Sequence, residues 1–181
     1  MSLHDPFENR SLAHPRAKEL MLEGFFWDVG DELGPFGSDE GWDAYYEWRD
    51  WRSAAPNKSL LKCLKWILGD KLSQYTANLC SDVALSEVKL DDLGFGSAYS
   101  LDITIISTCF GQLIDEGVIE SSVVPYLQVA LTRQLKSCEK VEEQDEFRAG
   151  YTKNLKAMFR VLNESQIVAV EPDSHEQIDL F

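Results

Sequence analysis

Histidine is scarce in this chain and placed where it does little chemistry. The 181 residues include three, His4, His14 and His175, all near the ends, which excludes a histidine-based triad or a His-rich metal site in the core. The cysteines Cys63, Cys80, Cys109 and Cys138 contain no C-x-x-C pair. Widely spaced thiols, three of them among apolar residues at helical spacing, are expected to be buried and free. No apolar run approaches about 18 residues, and residues 1–10 are polar and charged rather than apolar, so neither a membrane span nor a secretory leader is expected. The reading is a cytoplasmic, reducing location. A P-loop, a G-x-G-x-x-G after a strand and a G-x-S-x-G elbow are also missing, and no motif calls for a cofactor.

Positive charge is in short supply as well. Lys and Arg number 17 against 31 Asp and Glu, a net charge of -14, and such a field repels phosphate backbones and anionic headgroups. Direct nucleic-acid or membrane binding is therefore disfavoured. The same field suits a basic protein partner, although acidity also serves solubility alone. With 44% hydrophobic and 11% aromatic residues, including five Trp, the chain can bury enough apolar surface to offset its conformational entropy.

Apolar spacing, caps and breakers divide the chain into helices. A short first helix is expected at 15–22, then an aromatic turn at Phe25-Phe26-Trp27 and a Gly/Pro-rich loop over 30–37. Ser38 is a good N-cap, with Asp39 and Glu40 in the first turn where the helix dipole favours carboxylates, for a helix running to about 53. Another covers 60–68, and weaker helical stretches continue to about 90, broken at Gly69 and Gly94. Over 100–116 the residues Ile105, Ile106, Cys109, Phe110, Leu113 and Ile114 recur at helical spacing, and Gly117 ends the run like a C-terminal cap. This is the expected central helix. A helix over 122–136 tolerates Pro125 in its first turn, and Phe147, Tyr151, Leu155, Phe159 and Leu162 mark a last one over 143–163. With no strand series, the expected fold is all-α: an irregular bundle of about six helices in one domain, 1–163, followed by an acidic, non-helical tail, 164–181. The tail's Ile167-Val168-Ala169-Val170 run could alternatively pack on the bundle or form an edge strand.

Chemistry-bearing residues are few. On the helix opened by Ser38, Asp39, Glu40, Asp43, Glu47 and Asp50 share one side and Trp42, Tyr45, Tyr46 and Trp48 the other. An amphipathic helix with a solvated charged face explains this pattern. A functional reading makes Asp39 and Asp43, one turn apart, candidate metal ligands, and Trp42 and Tyr46 candidate partner contacts. Gly34, Phe36, Ser38, Asp39 and Asp43 together resemble the G-x-F-x-[NS]-D-x-x-x-D signature of an uncharacterised family of small acidic helical bacterial domains. Asp102, within the apolar helix that follows, is similar to that family's embedded acid, although bulkier residues stand where the family has Ala. The resemblance implies a helical fold and a bacterial source, and brings no activity with it.

Asp102 lies on the wheel among Ile105, Ile106, Cys109 and Leu113 rather than beside Thr104 and Thr108. An acid there needs a partner, either backbone N–H groups or an Arg in a structural role, or it is a desolvated general base lining a pocket. The cations Lys153, Lys156 and Arg160 on the last helix read as solvated or paired with acids. Finally, Gln177, Leu180 and Phe181 give the terminal QIDLF the form of the bacterial sliding-clamp-binding pentapeptide, which it resembles; a terminal extended peptide suits such docking. The functional expectation is a non-enzymatic protein-interaction domain, of adaptor or immunity type. The alternative is a carboxylate-dependent enzyme or divalent-metal-binding domain using Asp39, Asp43 and Asp102.

Overall fold

The computed structural model describes residues 5–87, 97–140 and 146–167. Among them the fold is all-α, as the periodicity implies, with α1 (Pro15–Leu20), α2 (Asp39–Ala54), α3 (Leu60–Leu68), α4 (Asp82–Ser86), α5 (Ser97–Glu116), α6 (Val124–Glu139) and α7 (Glu146–Ser165). Short 3-10 turns at Gly69–Gln74 and Ala77–Cys80 link α3 to α4. None of the helices is long and apolar enough to cross a membrane among the described residues. The last helix runs two residues past the expected end at Asn163, so Glu164 and Ser165 are helical, not tail. Arg16 explains the extension: its Nη2 donates to the carbonyls of Ser165 (3.2 Å) and Ile167 (2.8 Å), groups that have no partner within the helix itself. Ile167 is exposed, and residues 168–181, including QIDLF, lie outside the described residues.

α5 is the axis. It packs against α1, α2, α3 and α6, and α6 in turn against α7. Ile103, Ile105, Ile106, Cys109, Phe110, Leu113 and Ile114 are all buried. The sequence implies a polar side at Thr104 and Thr108, yet Thr108 is fully buried, as are Ser107 and Gln112, and Thr104 is half-buried. The correction has a simple cause: a helix surrounded by neighbours on every side has no solvated stripe. Two of its small polar side chains are satisfied locally or across the interface, with Thr104 Oγ1 donating to the Ser100 carbonyl (2.7 Å) and the Ser107 hydroxyl donating to the Gly41 carbonyl on α2, while the Thr108 hydroxyl is buried with no partner among the described residues.

Two glycines shape this axis. At Gly111 a Cβ would come 2.6 Å from Tyr45 Cδ2, so the bare backbone lets α2 lay its aromatic face directly on α5. Gly117 takes φ 73°, the left-handed conformation that ends a helix, and a side chain there would strike the His14 ring. Beyond it Glu120 turns back: its Oε2 accepts from the Leu60 backbone N–H (2.9 Å), capping α3 from a distant part of the chain where Ser59 makes no side-chain cap. The four cysteines are buried and none forms a disulfide among the described residues, as expected.

Candidate functional site

Ser38 opens α2 by accepting from the Gly41 N–H (3.1 Å). From that start the helical period sends Gly41, Ala44, Tyr45 and Trp48 into the core and leaves Asp39, Asp43, Glu47 and Asp50 exposed. None of these four carboxylates has an ion-pair or hydrogen-bond partner among the described residues, whereas Glu40 accepts from Ser100 Oγ (3.3 Å). Between the acidic stripe and the buried face run Trp42 and Tyr46, half-buried and edge-on at 4.8 Å between ring centres. Phe7 packs against Trp42 at 5.6 Å, and the Tyr46 hydroxyl donates to Asp5 (2.9 Å). Burial and that bond push the Tyr46 phenol up to about 12. The result is a rigid strip, aromatic along one edge and anionic along the next.

The inner side of α2 is locked to α5 by a second set of groups. Tyr45 donates its hydroxyl to Asp115 (3.2 Å), and Arg49 Nε lies 3.2 Å from the same carboxylate while its guanidinium covers the Tyr45 ring. Burial raises Asp115 to about 6, with Arg49 and the Tyr45 bond pulling the other way. Arg52, one turn on, pairs with Glu116 at 2.8 Å. These contacts hold the strip in place.

Asp102 is fully buried and faces α6, where Arg133 Nε sits 3.1 Å from Oδ2 and Gln134 Nε2 donates to the same oxygen. Tyr151 on α7 donates to Gln134 Oε1 (3.4 Å), so the Tyr151 and Gln134 donors run in series toward the acid. Burial pushes the carboxyl up, to about 8, and Arg133 with the two hydrogen bonds opposes it. Oδ1 has no partner. Of the two roles open in the sequence, the contacts are those of the paired acid: an Arg does bond it, from another helix.

The structure does not bring Asp39, Asp43 and Asp102 together. Ser107 and Gly111 turn one side of α5 to α2 and Asp102 lies on the opposite side, so the body of a helix, about 10 Å thick with its side chains, separates the carboxylates. Among the described residues no three of His, Cys, Asp and Glu gather as a metal ion would need. The thiols are equally quiet, since burial raises Cys63, Cys80 and Cys109 away from the reactive thiolate. On α7, Arg160 pairs with Glu23 and Glu164 (2.8 and 2.9 Å), while Lys153 and Lys156 are exposed.

Gly34 and Phe36 of the five-residue signature are buried and Ser38 is the cap, so these three serve the fold; Asp39 and Asp43 face outward. Sequence reasoning missed Arg133 and Gln134. Their signal was available: Gln134 continues the Leu127, Ala130, Cys138 face of α6, a polar residue at a core position that calls for a partner. No family model, curated protein or solved structure matches the chain.

Proposed function

We propose that this chain is a non-enzymatic protein-interaction domain, of adaptor or immunity type, that presents the outer strip of α2 to a basic protein partner. The observation that carries the reading is the stripe Asp39, Asp43, Glu47 and Asp50, unpaired among the described residues and running beside half-exposed Trp42 and Tyr46 on a helix whose other face is fixed in the core. Aromatic anchors flanked by charge are the usual composition of a contact surface, and a net charge of -14 favours encounter with a cationic protein. The terminal peptide with Gln177, Leu180 and Phe181 supplies a second contact, supported by its residue types.

The test is capture from the source cell on the full chain and on the double variant Asp43→Lys, Glu47→Lys. These positions are exposed, so the fold tolerates the change. A basic protein retained by the parent and lost by the variant is expected; retention of the same partner by both would remove α2 from the interface.

A further inference from the structure

A cleft of about 460 Å³ opens where the 3-10 turns after α3 meet the first turns of α5 and the middle of α6. Tyr75, Leu79 and Leu101 give it apolar walls, and Lys71, Ser100 and Arg133 bring polar groups to it. No carboxylate is among its described lining residues, in a chain with 31 acids against 17 bases. Arg133 is part of the architecture rather than a loose surface cation. It is 6% exposed, with Nε on Asp102 (3.1 Å), Nη2 donating to the Ala98 carbonyl (3.2 Å) and its guanidinium 5.3 Å from the Tyr75 ring centre. Its Nη1 makes no hydrogen bond to the described residues. Tyr75 is likewise 6% exposed, and its buried hydroxyl has no partner among the described residues. The Tyr75 phenol, buried with no partner among the described residues, and the Nη1 of the Arg133 guanidinium that lies against its ring are the donors these two residues bring to the same cleft.

We propose that this cleft binds a small organic anion, a carboxylate on an apolar body, with Arg133, Tyr75 and Lys71 donating to the carboxylate and Leu79 and Leu101 packing on the body. Concave apolar walls with a few convergent polar groups are the general form of a small-molecule site, and a guanidinium is a strong donor to a carboxylate. Two acids lie close: Asp102, behind Arg133, and Glu40, which accepts from Ser100 Oγ (3.3 Å). They offset much of the positive charge. Binding therefore rests on hydrogen bonds and apolar contact rather than on a strong field, which favours a monoanion with an apolar body over inorganic phosphate. The cleft shares no residue with the α2 strip, so the two proposals stand or fall separately.

Titration of the full chain with sodium benzoate, followed by amide NMR shifts, tests the site. Saturable shifts at Lys71, Leu79, Ser100 and Leu101 are expected, with half-saturation on the order of 1 mM for so small a ligand. Lys71→Gln, at an exposed position that keeps the fold, should weaken binding by about fivefold or more, and Leu79→Trp should fill the cleft and abolish it. Benzamide and inorganic phosphate should bind at least about tenfold more weakly. Absence of saturable shifts at these residues, equal binding of benzamide or phosphate, or binding unchanged in Lys71→Gln would overturn the proposal.

Discussion

Asp102 stands in the interior because Arg133 and Gln134 meet it there. Asp102→Ala would strip both of their acceptor, and breaking a buried pair in this way costs about 3 kcal/mol or more. Urea unfolding should show that loss, and the double replacement Asp102→Leu, Arg133→Met should recover most of it, since a well-packed apolar pair can stand in for a buried ionic one. The pH dependence follows from the direction of the shifts. Asp102 and Asp115 are raised, to about 8 and about 6, so over the range above their ordinary 3.8 the folded chain holds protons that the unfolded chain has released. Stability contributed by these groups is complete below about 4 and declines as pH rises toward 8. Urea midpoints should fall across that window and fall less in Asp102→Asn; a midpoint rising with pH through the window would contradict the burial assigned to both acids. The sequence betrayed Asp102 through its apolar neighbours on the wheel, but its partner Gln134 lies 32 positions away on another helix, beyond anything a local pattern encodes.

At the level of elements, the meeting of α2 and α5 depends on the space left at Gly111. Gly111→Ala would gain about 1 kcal/mol of helix propensity, yet its Cβ would press on the Tyr45 ring at 2.6 Å, and that ring is held by its bond to Asp115. Overpacking of a fixed ring costs about 1–3 kcal/mol, so a net loss of melting temperature is expected; an unchanged or raised value would mean that the ring yields freely. The terminal peptide behaves differently under the proposed function. Replacing Leu180 and Phe181 together with Ala should lower partner affinity by at least about 2 kcal/mol and leave melting unchanged, because a few anchors dominate such contacts; a marked fall in melting temperature would place the peptide in the core instead. Helices marked by caps and breakers were legible: α3 occupies 60–68 as its spacing implies, and Ser38 and Gly117 act at the ends assigned to them. The stretch between Gly69 and Ser86 was less so, since it resolves into 3-10 turns and a five-residue helix pinned by α6, with Lys136 Nζ donating to the Cys80 carbonyl (2.9 Å) and Lys140 Nζ to that of Asp82 (2.9 Å). Such tertiary bonds leave no periodic trace.

Taken whole, the molecule sets a closed core around α5 inside a strongly acidic surface, and the proposed partner meets that surface at α2. Composition made the charge readable and apolar spacing the all-α class, but neither could separate a solvated acidic face from a recognition face, because both have the same spacing. The difference lies in what stands beside the carboxylates: Trp42 and Tyr46 flank the stripe, and none of its four acids is spent on an ion pair among the described residues. Charge-led docking has a kinetic signature, since salt screens the approach of the partners more than it loosens contacts already made. The most direct test is the association rate with the captured partner as a function of ionic strength. Between about 0.05 and 0.5 M salt that rate should fall by about tenfold or more while dissociation changes little, and the fall should be blunted in Asp43→Lys, Glu47→Lys; an association rate indifferent to salt would contradict recognition through the acidic face of α2.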